Sequence, residues 1–277
     1  MTNPDPGIAS LPILRLRAGT REQTEDRLVV EEPLELRLGY TDAEKGRVHR
    51  SVAITMRTPG DDEALGLGFL FGEGIIRSLR DVSSIDSSRG NVLRIELRED
   101  VAVERLRLER NFYTTSSCGM CGKASLEALS LAGYEALDHN DFTLTLQQLQ
   151  ALPEQLRARQ QLFDQTGGNH GVALFDAAGQ LQLVKEDVGR HNAMDKLVGS
   201  LLREERLPLR GHGILLSGRA SFELLQKALA AGCPLVAAVG APSSLAVELA
   251  QEFDITLVGF VGQRGCNVYH GSKRILS

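Results

Sequence analysis

The 277-residue sequence contains no tryptophan, only 5% aromatic residues, four cysteines and no excess of basic charge. Each shortage removes a class of function. A formal charge of −5 supplies no global basic field to attract nucleic acid or an anionic membrane, so an anionic ligand must be held by local groups. Few aromatic rings leave few platforms for stacked bases. The cysteines, Cys118, Cys121, Cys233 and Cys266, are too few and too scattered for a disulfide scaffold. No apolar run approaches the length of a membrane span. The start of the chain, with Pro4, Asp5, Pro6 and Pro12 and with Arg15 and Arg17 interrupting its apolar stretch, is not a signal peptide. These absences point to reducing cytoplasm, where unpaired thiols serve chemistry or metals.

What is present suits a globular α/β protein, α+β overall, with 42% apolar and 24% charged residues and enough length to bury a core. Residues 1–25 are polar and read as a flexible N-terminus. Residues 26–112 read as a small α+β domain. Within it Leu34, Leu36 and Leu38, then Val52, Ile54 and Met56, then Leu93, Ile95 and Leu97 alternate with polar residues as half-buried strands do. Asp61 is placed to cap a glycine-rich apolar helix running to Phe71. Residues 113–125, small, polar and punctuated by glycine, read as a mobile loop carrying Cys118-Gly119-Met120-Cys121.

Residues 126–277 read as a second, α/β domain. A helix is expected near Leu126–Ala132, and Leu149, Leu152, Leu156 and Phe163 form a helical stripe. Val172–Phe175 and Leu181–Val184 form a hairpin across residues 176–179. Strand, turn and helix then alternate: Ile214–Leu216, a helix carrying Phe222, Leu225 and Leu229, Leu235–Val239, the helix Leu245–Gln251, and Leu257–Val261. That alternation demands right-handed crossovers and a parallel sheet.

Ligands of such sheets collect beyond the carboxyl ends of the strands. Here those ends carry Ser217-Gly218-Arg219, Gly240 to Ser244, and Gly262-Gln263-Arg264-Gly265. The first two lead into helices whose free N–H groups suit anions, Arg219 and Arg264 add charge, and Ser217, Ser243 and Ser244 add hydroxyls. Any one such turn is explained by capping alone; three on one rim, two with arginine, favour a phosphate-bearing ligand. The run from Glu186 to Lys196 is dense in polar residues. Asp187 is placed to cap a helix on which His191 and Asp195 share a face, flanked by Arg190 and Lys196. It reads equally as a solvated helix start and as a binding edge.

The Cys118/Cys121 pair admits three chemistries. Zinc needs about four ligands, and the sequence has no second Cys-x-x-Cys and no His-x-Glu of the deaminase type, so a metal site is not expected. A dithiol that exchanges disulfides and a thiolate that carries sulfur as a persulfide both fit. Each gains from a following helix start and from Lys123, which lower a thiol pKa, and carriage gains from the mobility of Gly119 and Gly122. Spacing alone does not choose between them.

Several blocks resemble the formate dehydrogenase accessory sulfurtransferase family: Glu31-Glu32-Pro33-Leu34, Leu67-Gly68-Phe69 with Gly72-Glu73-Gly74-Ile75-Ile76, Cys118-Gly119-Met120-Cys121-Gly122, Glu186-Asp187-Val188-Gly189-Arg190-His191, Asp195-Lys196-Leu197, Ser217-Gly218-Arg219-Ala220-Ser221, 241–247, and Leu257-Val258-Gly259-Phe260. They span roughly residues 30–270 in family order, far more specific than a lone cysteine pair. The resemblance implies a sulfurtransferase that accepts sulfur from a cysteine desulfurase as a persulfide on Cys118, assisted by Cys121, and delivers it to the bis(molybdopterin guanine dinucleotide) molybdenum cofactor of formate dehydrogenase. It implies cofactor contacts along Phe260, Val261, Gly262, Gln263, Arg264 and Gly265, with GDP-like nucleotides accepted in the same pocket. It implies a homodimer, and a C-terminal three-layer domain with a mixed sheet, similar to the cytidine deaminase fold but without zinc. Two rivals stay open: a thiol–disulfide oxidoreductase, and a non-catalytic carrier or chaperone for the apo-dehydrogenase.

Overall fold

A computed structural model describes residues 5–42, 44–101, 103, 126, 129–130, 133–137 and 142–276. Its elements in chain order are β1 (Ile8–Arg17), β2 (Thr20–Val29), β3 (Glu32–Asp42), β4 (Gly46–Arg57), α1 (Asp62–Gly72), β5 (Val82–Asp86), β6 (Val92–Leu97), β7 (Leu144–Thr145), α2 (Leu146–Arg159) and α3 (Gln161–Thr166). They continue with β8 (His170–Asp176), β9 (Leu181–Asp187), α4 (Arg190–Arg203), β10 (His212–Leu216), α5 (Phe222–Ala230), β11 (Leu235–Ala238), α6 (Ser244–Glu252), β12 (Thr256–Gly262), β13 (Gly265–His270) and β14 (Ile275–Leu276). The result is a mixed α+β protein. No helix among the described residues is long and apolar enough to cross a membrane.

A four-stranded sheet, ordered β4-β3-β6-β5, carries the alternating leucines. Leu34, Leu36, Leu38, Leu93, Ile95 and Leu97 are all buried against α1. The expected continuation on β4 fails halfway. Leu36 pairs with Ala53 but Arg37 pairs with Ser51, so Val52 is an extra residue. Such a bulge exchanges the two faces of the strand beyond it. Val52 is buried, whereas Ile54 and Met56 are 65% and 47% exposed.

Two other expectations give way. The polar N-terminal stretch, read as flexible over residues 1–25 with the first strand expected only at Leu34, pairs as the β1–β2 hairpin, with Ile8 opposite Val29 and Arg17 opposite Thr20. It hides little apolar surface, since Leu11, Leu14 and Leu16 stay 44–68% exposed, so it leaves no one-sided burial pattern to read. The stripe from Leu149 to Phe163 is two helices broken at Gln160. Leu149, Leu152 and Leu156 are buried, while Phe163 lies near the surface under the Arg157 guanidinium. A capping box starts the first of them: Thr145 Oγ1 accepts from the Gln148 N–H, and Gln148 Oε1 accepts from the Thr145 N–H.

The second sheet has six strands, ordered β13-β12-β11-β10-β8-β9. β10, β11 and β12 are mutually parallel, as the strand–turn–helix alternation requires. β8 joins β10 antiparallel and forms the expected hairpin with β9. On one face Leu174, Ile214, Val236 and Leu257 pack with α4, α5 and α6; on the other Phe175, Leu215, Ala237 and Val258 pack with α2. Helices therefore cover both faces. The two sheets meet where α1 crosses α4 at backbone contact. A methyl built on Gly68 would sit 1.9 Å from the Asp195 carbonyl oxygen, and one on Gly199 would sit 1.8 Å from that of Ala64.

Candidate functional site

The topology gathers the expected rim. Val239 N–H donates to Leu216, Gly240 N–H to Gly218, Ala220 N–H to Ala241, Ser243 N–H to Ala220, and Phe260 N–H to Gly240. These bonds zip the loops after β10, β11 and β12 into one ledge. On its other side Ser217 N–H donates to the Gly171 carbonyl while Ser217 Oγ accepts from the Gly171 N–H at 2.9 Å, which ties in the start of β8. The helices α4, α5 and α6 all begin along this edge, and their free N–H groups make it a place for an anion. Arg219, Gln263, Arg264, Ser243 and Ser244 are exposed there, and Ser217, Gly218, Arg190, His191, Gly262 and Gly265 partly so. Arg219 lies in the turn after β10, and Arg264 lies in the turn beyond β12, where the Gln263 carbonyl accepts from Gln150 Nε2 of α2. Ser243 is partly committed: its Oγ caps α6 by accepting from the Ala246 N–H.

The stretch from Phe260 to Gly265 turns back on itself instead of crossing over. β12 continues to Gly262 and reverses into β13, with the register broken between Gly259 and Gly262. Phe260 takes a left-handed φ of 54°, which a bulky residue adopts only under constraint. The turn leaves its ring 52% exposed, while Val261 faces the core.

The polar run from Glu186 to Lys196 is only in part a binding edge. Asp187 does not cap α4; it is fully buried, and its carboxylate lies 2.7 Å from Lys196 Nζ. It also accepts from the N–H groups of Gly189 and Thr58 and from Asn192 Nδ2. Lys196 in turn donates to the Thr58 carbonyl, and Asn192 to that of Met56. The end of β4 is thereby bolted to the loop that presents Arg190 and His191. Asp195 is likewise buried, 2.7 Å from Lys227 Nζ. Asp61, expected to cap α1, instead pairs with Lys185 at 2.9 Å.

His191 does face the rim. Its Nε2 is 3.3 Å from Ser221 Oγ and 3.6 Å from a Glu223 carboxylate oxygen. The His191 imidazole beside it, followed by Ser221, holds the Glu223 carboxyl at about 2. His170, at the first residue of β8, was not evident from the sequence. Burial, followed by the charges of Arg190 and His191, lowers its pKa, so the imidazole is neutral at pH 7. Gln160 and Asn169 are buried beside it. The only signal for these residues is the polar, glycine-flanked run Gly167-Gly168-Asn169-His170-Gly171.

Cys118 and Cys121 lie outside the described residues. Cys233 is fully buried, and burial pushes its thiol up to about 12. Cys266, at the start of β13, is half-buried with its pKa raised by burial. Neither forms a thiolate readily. Among the described residues no three His, Cys, Asp or Glu side chains gather as a metal site.

The sequence profile of the FdhD/NarQ family matches residues 29–276. The chain belongs to this family. Within the FdhD/NarQ family it is 48% identical to the sulfur carrier protein FdhD of Streptomyces coelicolor over 273 residues, covering 95% of this chain and 94% of that one. Identity to the protein of the same name from Mycolicibacterium paratuberculosis is 48% over 272 residues (95% and 97% covered), and to that of Saccharolobus solfataricus 38% over 268 residues (97% and 98%). A chain from Desulfotalea psychrophila, whose crystal structure is described as that of a formate dehydrogenase accessory protein, superposes with a TM-score of 0.75. It is 25% identical and covers 98% of this chain and 100% of its own. The FdhD/NarQ match begins at the end of β2, so most of the N-terminal hairpin precedes it.

Proposed function

We propose that this FdhD/NarQ protein is a sulfurtransferase that carries sulfur as a persulfide on Cys118 and hands it to the molybdenum cofactor destined for formate dehydrogenase. In the loading step the Cys118 thiolate attacks the outer sulfur of a cysteine desulfurase persulfide. The desulfurase leaves as a thiolate, and the sulfane sulfur stays on Cys118, with Cys121 assisting. The acceptor substrate is the bis(molybdopterin guanine dinucleotide) cofactor, and GDP-like nucleotides occupy the same place. Arg219 and Arg264 face its phosphates, with Arg190, His191, Ser217, Gly218 and Ser244 and the backbone from Phe260 to Gly265 lining its bed. Ser243 contributes through the helix it caps.

The observation that carries this reading is the single ledge on which three helix starts and the exits of β10, β11 and β12 converge, with Arg219 exposed on it. Near-full-length similarity to proteins named sulfur carriers supports it. The inert character of Cys233 and the raised pKa of Cys266 leave Cys118 and Cys121 as the thiols suited to the chemistry. We further read the six-stranded layer, with helices on both faces, as related to the cytidine deaminase fold, and the protein as a cytoplasmic homodimer.

Intact-mass spectrometry after incubation with a cysteine desulfurase and cysteine tests the proposal. The wild type should gain one sulfur atom, Cys118→Ala should gain none, and Cys121→Ala should gain less. Equal sulfur uptake by the Cys118→Ala chain would refute the assignment. A Cys118/Cys121 double alanine variant that still supports an active dehydrogenase in cells would leave a carrier without sulfur chemistry.

A further inference from the structure

Seven side-chain polar atoms among the described residues are buried without a hydrogen-bond partner, and four of them ring the start of β8: Gln160 Nε2, Asn169 Nδ2, Asn169 Oδ1 and Arg190 Nε. Buried amides normally find partners, and a native exception calls for an explanation. Asn169 is the most extreme, only 4% exposed with both ends of its amide unpaired; Gln160 is 5% exposed. The sheet register places them at the ledge. β8 runs antiparallel to β10, with Val172 opposite Leu216 and Ser217 bonded to Gly171, so continuing that register sets Asn169 opposite Arg219. Gln160 lies on the backbone of Gly171, where a methyl built on that glycine would sit 2.7 Å from Gln160 Nε2. Arg190 is close enough to His170 for its charge to lower that residue's pKa.

The unpaired set is three donors and one acceptor. A phosphate would leave the acceptor, Asn169 Oδ1, facing an anion. Adenine offers a donor for Asn169 Oδ1, its amino group, and ring-nitrogen acceptors for the donors. A lactam edge, with a ring carbonyl and ring nitrogen accepting and the adjacent ring N–H donating, satisfies both kinds of group. Arg190 separates the two rings, because arginine is the side chain that donates to the paired O6/N7 acceptors of guanine, whereas a side-chain amide alone pairs with the N6/N7 edge of adenine.

We propose that Asn169, with Gln160 and Arg190 beside it, is a specificity residue that reads the lactam edge of a 2-amino-4-oxo heterocycle. Guanine and the pterin ring of molybdopterin both carry that edge. The inference rests on the cofactor reading above and adds the residues that select the ring. Gly167, with a φ of 68°, and Gly168 precede Asn169 and give its backbone the freedom to turn the amide toward the crevice.

Calorimetric titration of the 277-residue chain with GDP, ADP and free pterin tests it. The wild type should prefer GDP or pterin to ADP, and Asn169→Ala should erase on the order of 10-fold to 100-fold of that preference. Asn169→Asp, which keeps the size and the acceptor but removes the donor, should fall on the same side, and so should Gln160→Leu to a smaller degree. Either variant serves if the alanine chain fails to fold. Loss confined to GDP identifies guanine as the ring, and loss confined to pterin identifies the pterin. Wild-type binding with an unchanged preference in the variants overturns this inference and leaves the sulfur-carrier reading standing. A wild type that binds neither GDP nor pterin overturns the cofactor site itself.

Discussion

Replacing Lys227 by methionine should destabilise the protein by an amount that depends steeply on pH. The ammonium lies in the α1–α4–α5 junction, 2.7 Å from Asp195 and over the Phe69 ring, in space left by the missing side chain of Gly72. Burial pushes the Asp195 carboxyl up to about 6 even with Lys227 beside it. Burial opposes the Lys227 charge as well, yet Asp195 and Glu73 outweigh it and the lysine pKa is raised. At pH 8 both groups are charged. Removing the cation strands a buried carboxylate, a loss of about 3–5 kcal/mol. At pH 5 Asp195 takes up a proton and most of that loss disappears, at about 1.4 kcal/mol per pH unit.

The wild type has its own dependence. Because Asp195 binds its proton more tightly folded than unfolded, about 3 kcal/mol of stability is present below pH 3.8 and lost as pH rises to about 6. Urea unfolding of both chains at pH 5, 6.5 and 8 isolates the difference. A loss below about 1 kcal/mol at pH 8, or the same loss at pH 5 and pH 8, would show that the pair is not the buried ion pair described. Asp195→Leu combined with Lys227→Met should recover most of the stability, because no lone charge remains.

Gly68→Ala should cost about 3 kcal/mol or more, since its methyl meets backbone and not a side chain that can swing aside; chemical denaturation measures it, and a near-neutral result would mean that α1 and α4 do not cross at contact. Ile54→Thr should change stability by less than about 0.5 kcal/mol, whereas Leu36→Ala should cost about 2–5 kcal/mol; equal losses in thermal or urea unfolding would place Ile54 in the core and abolish the bulge. Cys233 should resist alkylation in the native chain at pH 8 and react once urea exposes it; rapid native labelling, located by peptide mass spectrometry, would contradict its buried thiol.

One-sided burial was legible along the chain because it writes a period into the sequence. The leucines of β3 and β6, the β8–β9 hairpin and the β10–α5–β11–α6–β12 series all follow from that signal and from the glycines that end each run. The ledge followed too, because parallel strands place their exits on one edge. Polar residues carry no such label. Asp187, Asp195 and Lys196 have the composition of a solvated helix start, and only the approach of β4 and α5 buries and pairs them. The bulge at Val52 depends on its partner strand, which local alternation cannot reveal. The β1–β2 hairpin hides neither face, so no pattern announced it. Gln160, Asn169 and His170 reach the ledge because β8 inserts antiparallel beside β10, a long-range pairing decided by how the whole sheet closes its core.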